Sequence, residues 1–571
     1  MRDDRLPVVL LWHMHQPTYR DALSGQYILP WTYLHAIKDY ADMAAHLEAH
    51  PQARAVVNFT PVLIEQLEEL AQRVRAHLQQ AEPVPDPVLA LLSEAPLPQD
   101  PSQRLALLRA CLRADRQNLI ERFPVYAELA ALAAVLGTPE QIAYAADQLL
   151  RDLAVWFHLA WLGETVRRSD PRVAQLAEQG RQFTATHRRC LLELVADLLD
   201  GVLPRYRRLA EAGRCELSVT PYSHPILPLL LDFGAARESE PGSPAPRHAA
   251  YPGGAQRAAW HMQEALAVFE RVFGTRPRGC WPSEGAISEP ALRVMQQSGM
   301  DWIASSGNVL QAALAASGIP AEQHGGERLL HQAHCGPDGG MRCFFRDDDV
   351  SDLIGFTYSR WHGDDAARHL VEQVERRAEA TQGEPGRVLL VALDGENAWE
   401  HYPFNGFYFL DAMYAGLAQS TRVRLATLAQ VLDDTAREGV APHRLAHVRA
   451  GSWVHGTLST WMGDPDKNAA WDLLCEAKLA YDQVLASGRL DAARQEAASR
   501  QLAHCESSDW FWWFGDYNPP EAVRDFDLLY RHQLTSLYRL LELAPPASLL
   551  QPLSAGGGSP EGGGVMRRAQ A

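Results

Sequence analysis

Two short stretches of this 571-residue chain place carboxylates where they suit chemistry better than solubility. The first is Gly279-Cys280-Trp281-Pro282-Ser283-Glu284-Gly285, with one acid in a turn beside an indole. The second is Leu393-Asp394-Gly395-Glu396-Asn397-Ala398-Trp399-Glu400, three acids and a tryptophan at the end of an apolar run. Cleavage of a glycosidic bond needs such a set: one carboxylate to attack or stabilise the anomeric carbon, one to protonate the leaving oxygen, and rings to stack on the sugar. Glu284 lies between Ser283 and Gly285, a context for a turn at a strand end, against the alternative of a surface-loop glutamate. Asp394 could instead be a helix N-cap, but the neighbouring acids exceed what capping needs. An acid beside like charges and an indole has its neutral form favoured, which suits a general acid. Spacing alone leaves the choice between Asp394 and Glu396 open.

Other clusters end apolar runs in the same way. His13 and His15 alternate, so both can face one side, for sugar hydroxyls, for a metal, or as core histidines. Thr220-Pro221-Tyr222-Ser223-His224-Pro225 fixes a turn that projects Tyr222 and His224. In Phe345-Arg346-Asp347-Asp348-Asp349, Asp347 is expected to stay ionised beside Arg346 and to position rather than transfer protons. The C-terminal part carries Trp453, Trp461, Trp471, Trp510, Trp512 and Trp513, of which His455, Trp461 and Asp509 or Trp510 are expected at the cleft.

The elements that hold these clusters follow from periodicity. Leu6–Trp12 and Ala55–Phe59 read as buried strands around a helix, the opening of an α/β barrel or sheet. From about 65 to 206 the pattern is helical, an insertion between strands. Strand signals return at Cys215–Val219, Gly279–Trp281, Trp302–Ala304, Met341–Phe345, Val388–Leu393 and Val423–Ala426. The chemistry-bearing residues cluster at strand ends, where a parallel barrel builds its site. Beyond 437 the segments Asn468–Leu485, Ala492–Ser507 and Pro520–Leu543 read as helices. Residues 234–254 read as a surface loop and 551–571 as a disordered tail.

Composition sets the bounds. A net charge of −17 argues against nucleic acid or an anionic membrane as partner and is compatible with a neutral sugar polymer. The eight cysteines show no CxxC spacing and are expected as thiols. No run approaches the roughly 20 apolar residues of a membrane span, and the start is too quickly polar for a signal peptide. The expectation is a cytoplasmic protein.

These segments, in order, resemble glycoside hydrolase family 57. The likeness rests on His15-Gln16-Pro17, Gly213 to His224, Trp281-Pro282-Ser283-Glu284, Leu393-Asp394-Gly395-Glu396-Asn397, and Trp461 with Met462-Gly463-Asp464-Pro465. It spans about residues 6–545 and looks closest to the α-amylase and amylopullulanase branch, with Phe345-Arg346-Asp347, Ser351 to Phe356 and Trp156 to Trp161 pointing the same way. The resemblance implies an incomplete (β/α)7 barrel over residues 1–436, with the helical insertion, and a helical bundle over 437–550 that completes the cleft. It also implies a retaining mechanism on α-glucans with no metal or cofactor. Glu284 then matches the nucleophile and Asp394 the general acid/base, while His13, His15, His224, Trp281 and Asp347 would line the donor subsite. Trp399, Trp461 and Trp510 are further expected substrate contacts. The same carboxylate pair would serve a 4-α-glucanotransferase or a branching enzyme. A metal-dependent sugar hydrolase or deacetylase and a non-catalytic glucan-binding protein are the remaining alternatives.

Overall fold

Ten strands can be traced in the computed structural model, which describes residues 3–319, 327–558 and 566. They are β1 (Leu6–Met14), β2 (Ala55–Phe59), β3 (Cys215–Val219), β4 (Gly279–Cys280), β5 (Trp302–Ser306), β6 (His334–Cys335), β7 (Arg342–Arg346), β8 (Leu389–Asp394), β9 (Val423–Leu425) and β10 (His443–Arg444). Seven of them, β1, β2, β3, β4, β5, β7 and β8, run parallel in a ring. The ring is closed, where an incomplete one was expected: β7 meets β8 through Arg346 and Leu390. The contact is one residue pair wide, too small a feature to leave a periodicity signal. The run at Val423 is a strand but not a stave, since it only flanks the start of β1. The two-residue strands β6 and β10 carry no pattern long enough to read.

The staves are near-continuous apolar runs because a parallel sheet covered by helices is buried on both faces. Val9, Leu11, Trp281, Trp302, Phe344 and Leu390 fill the barrel interior. Gly279 faces the Trp302 indole so closely that a Cβ would stand 1.8 Å from it. Register then fixes the rim: His13 on β1 lies level with Asn58 on β2 and Asp394 on β8.

Between β2 and β3 the chain makes a run of helices from Pro61–Gln80 to Ala185–Glu211. The segment expected as a loop at 234–254 contains a short helix, Ala235–Ser239. Residues 445–464 contain no helix or strand, and helices resume with Pro465–Ser487, Ala492–Cys505, Asp509–Trp513 and Pro520–Leu540. Of the expected tail, residues 551–558 are fastened rather than disordered. Asp527 accepts from the Leu553 amide, Ser554 accepts from the Gly515 amide, and the Asn518 carbonyl accepts from Gly557 and Gly558. Apart from Met566, the rest of that expectation lies outside the described residues. No helix among the described residues is long and apolar enough to cross a membrane. The eight cysteines are unpaired thiols.

One buried charge cluster pins the C-terminal helices to the barrel. Glu506 is fully enclosed and accepts hydrogen bonds from Arg257, His261 and Tyr251 on the barrel side. Burial opposes its ionisation, but Arg257 and His261 overcome that and hold the carboxyl at about 2. Truncating one partner of a buried ion pair strands the other charge. Glu506→Ala is therefore expected to cost about 3–5 kcal/mol in denaturant melts, and a loss below about 1 kcal/mol would exclude the cluster as the pin. An unfolded glutamate titrates near about 4.3, so the contribution is complete above that pH and is lost as pH falls toward about 2.

Candidate active site

A cavity of about 440 Å³ opens at the barrel rim, and both carboxylate stretches reach it. Glu284 sits in the left-handed region, at φ 58° and ψ 23°, which turns its side chain from the end of β4 into the cavity. Trp453, from the irregular stretch at 445–464, holds it twice. Its main-chain N–H donates to the Glu284 carbonyl at 3.0 Å, and its indole N–H donates to Oε2 at 2.9 Å. The indole of Trp453 lies between the Arg346 guanidinium, 5.1 Å from its ring centroid, and Trp281, 5.1 Å away edge-on.

Asp394 enters from the end of β8 and accepts a hydrogen bond from Asn397 at 2.8 Å. Burial and then the charge of Asp394 push Glu284 up to about 8. Burial, only partly offset by Asn397, pushes Asp394 up to about 6. Glu284 is thus the weaker acid of the two in the empty cavity. Burial and the Asp394 charge also drive Glu396 well above the carboxylate range. It lies at the cavity floor, where its Oε1 accepts from the His15 amide and the Gln16 side chain.

The histidines form an uncharged relay. Burial pulls His13 down to about 3 and His224 well below the ordinary histidine value. With both rings neutral, one set of tautomers satisfies every contact. Ser508 donates to His224 Nδ1 at 2.8 Å, His224 Nε2–H donates to His13 Nε2 at 3.1 Å, and His13 Nδ1–H donates to Asn58 Oδ1 at 2.6 Å. The Ser508 hydroxyl is 3.5 Å from Glu284 Oε1. His15 stacks on His224 at 3.9 Å and bonds Asp509 at 2.9 Å. Ligand atoms of His15, His224 and Asp509 lie within 4.8 Å of one another. Rings stacked face to face cannot both aim in-plane lone pairs at one ion without rotating.

Glu284, Asp394, His13, His15, His224 and Asp509 thus converge on the cavity as the sequence suggests. Six expected contacts do not. Trp281 is fully buried behind Trp453, because the barrel interior takes its indole. Trp399 is buried with its N–H on the Gly395 carbonyl. Asp347 is buried and is held at about 2: burial opposes ionisation, while His331 and Arg377, not Arg346, secure it. Trp461 and Trp510 are fully buried, Trp510 with its N–H on the His504 carbonyl. His455 also lies off the cavity wall. The aromatic walls are instead Trp31, Trp161, Trp453, Trp512, Trp513 and Phe526. Sequence reading missed Asn58, Ser508 and the role of Trp453. Only the dense run Ser508–Gly515 carried a signal, that not all of its rings can be core.

Comparison with known proteins fits this geometry. The sequence profile of glycosyl hydrolase family 57 matches residues 9–443. A comparison with curated protein sequences finds no match. The fold is similar to that of a family 57 branching enzyme from Pyrococcus horikoshii, at TM-score 0.59 and 15% identity over 94% of this chain and 89% of that one. A branching enzyme from Thermococcus kodakaraensis, solved with glucose, gives 0.57 and 15% over 94% and 90%. The α-amylase AmyC from Thermotoga maritima gives 0.56 and 14% over 94% and 93%.

The Trp453 indole N–H favours the ionised form of Glu284, so losing it disfavours ionisation. Trp453→Phe is expected to raise the Glu284 pKa by about one unit, followed by carboxyl infrared difference spectra. An unchanged or lowered value would show that this bond does not tune the carboxyl.

Proposed function

The chain belongs to glycosyl hydrolase family 57, and from that premise we propose that it cleaves α-glucosidic bonds of a glycogen-, starch- or maltodextrin-type glucan by double displacement. The observation that carries this reading is the convergence of Glu284 and Asp394 on one cavity walled by tryptophans, with each carboxyl pushed upward by burial. Asp394 protonates the glycosidic oxygen while Glu284 attacks the anomeric carbon and forms a glycosyl-enzyme. Asp394 then takes the proton of the water or sugar hydroxyl that releases the sugar. In the empty cavity the proton prefers Glu284, opposite to the arrangement this first step requires. The roles therefore demand that seating the sugar move the proton to Asp394. The indole N–H of Trp453, which stabilises a Glu284 carboxylate, supports that direction.

The neutral histidine relay suits sugar hydroxyls, to which it offers uncharged donors and acceptors. The unpaired thiols are in keeping with a cytoplasmic setting, which is part of the proposal. A second reading, transfer to a sugar hydroxyl, is favoured by the aromatic walls coming from both the N-terminal part (Trp31) and the C-terminal helices (Trp512, Trp513). Such walls suit the binding of an acceptor as well as a donor. The branching activity of two solved relatives is consistent with it.

Maltoheptaose digestion separates the readings. Shorter products alone mean hydrolysis, products both shorter and longer mean glucan transfer, and new α-1,6 links at unchanged length mean branching. Glu284→Gln and Asp394→Asn are each expected to lower turnover by roughly 10³-fold or more. Full activity in Glu284→Gln would remove that residue as nucleophile. With one proton required on the pair, kcat/KM is expected to fall below about pH 6, where both carboxyls are protonated, and above about pH 8, where both are ionised. A rate flat from pH 4 to 10 would count against the pair, on the roughly hundredfold effect expected of acid–base catalysis.

A further inference from the structure

Away from the cavity, two histidines stand one helical turn apart beside a carboxylate from another helix. His46 lies in helix Ala41–Ala49 and His50 caps its end, a spacing that puts both on one face. Asp411 comes from helix Phe407–Gln419. The His50 Nε2 to Asp411 Oδ1 distance is 2.9 Å, and a ring nitrogen of His46 completes a set whose ligand atoms all lie within 4.8 Å of one another.

We propose that His46, His50 and Asp411 form a zinc site that ties these two helices together. Two imidazoles and a carboxylate are a donor set that zinc accepts, with a water as fourth ligand. Zinc–ligand bonds of about 2.0–2.2 Å put tetrahedral ligands roughly 3.3–3.5 Å apart, so the three donors need adjust by no more than about 1.5 Å. The His46 ring is 2% exposed, and its Nε2 is buried without a hydrogen-bond partner, an unusual state for a polar atom. Asp411 is 53% exposed, so the group opens to solvent and an ion can enter. The His50 ring stacks on Tyr414, whose hydroxyl accepts the indole N–H of Trp12 on β1. The zinc would therefore brace the helices behind β1, the strand that carries His13.

The test is zinc uptake by the full chain after chelation and desalting, read by elemental analysis and thermal melting. Wild type is expected to retain one zinc at this site and to gain about 2 °C in Tm at a hundredfold excess over Kd. The double variant H50A/D411A, and Asp411→Asn as a milder change of the same shape, should lose both effects while keeping their metal-free turnover. Asp509→Ala, which breaks up the histidine–aspartate group in the cavity, should keep both. Zinc uptake unchanged in H50A/D411A, uptake lost in Asp509→Ala alone, or no uptake by wild type would each overturn the site.

Discussion

The carboxyl of Glu284 is held by a residue 169 positions further along the chain. Trp453 donates its main-chain N–H to the Glu284 carbonyl and its indole N–H to the carboxylate. One residue thus fixes both the strained backbone and the carboxylate. A glutamate at positive φ costs energy, and it persists only where its surroundings over-determine it. Here the Trp453 ring is itself wedged between Arg346 and Trp281, and an antiparallel bridge between Ile287 and Gly451 ties the two segments together. The tryptophan beside the acid in sequence therefore acts through a second tryptophan. Trp281 is a wedge and Trp453 is the wall.

The other half of the cavity depends on a buried charge. Glu506 draws the end of helix Ala492–Cys505 onto Arg257 and His261, and Ser508 and Asp509 follow within three residues. The Ser508 amide then bonds the His224 carbonyl, and its hydroxyl starts the relay through His224 and His13 to Asn58. Burying an ion pair does not make a protein more stable than apolar packing would. What it does here is set the register of the C-terminal helices on the barrel, and hence where Asp509 meets His15.

Much of this was legible in the chain. The strands show because parallel staves are apolar throughout, and the carboxylates show because they end those runs. Both signals are local. The closure of the ring was hidden, since a single pairing between Arg346 and Leu390 has no periodicity. The burial of Glu396 against the His15 amide was hidden too, because two acids at i and i+2 look equivalent in the sequence. The tryptophans misled most. A ring near an acid in sequence suggests a sugar platform, yet Trp281, Trp399, Trp461 and Trp510 all went to the core, where large apolar area is worth most. Asp347 misled for a related reason: its neighbour Arg346 was already engaged with Asp348, and its real partners, His331 and Arg377, are remote in sequence.

The left-handed backbone at Glu284 has an evolutionary side. Aspartate and asparagine take that conformation more readily than glutamate does, so the loop accepts them, and glutamine, without added strain. None of these keeps a carboxylate at glutamate's reach. The position is thus permissive to the fold and exacting for the reaction. Under the proposed mechanism, one codon change there silences catalysis and leaves the barrel, the relay and the aromatic walls standing. Under that same proposal, lineages of this architecture can pass in a single step from acting on a glucan to merely holding it, and the descendants would be well-folded lectins with an intact cleft.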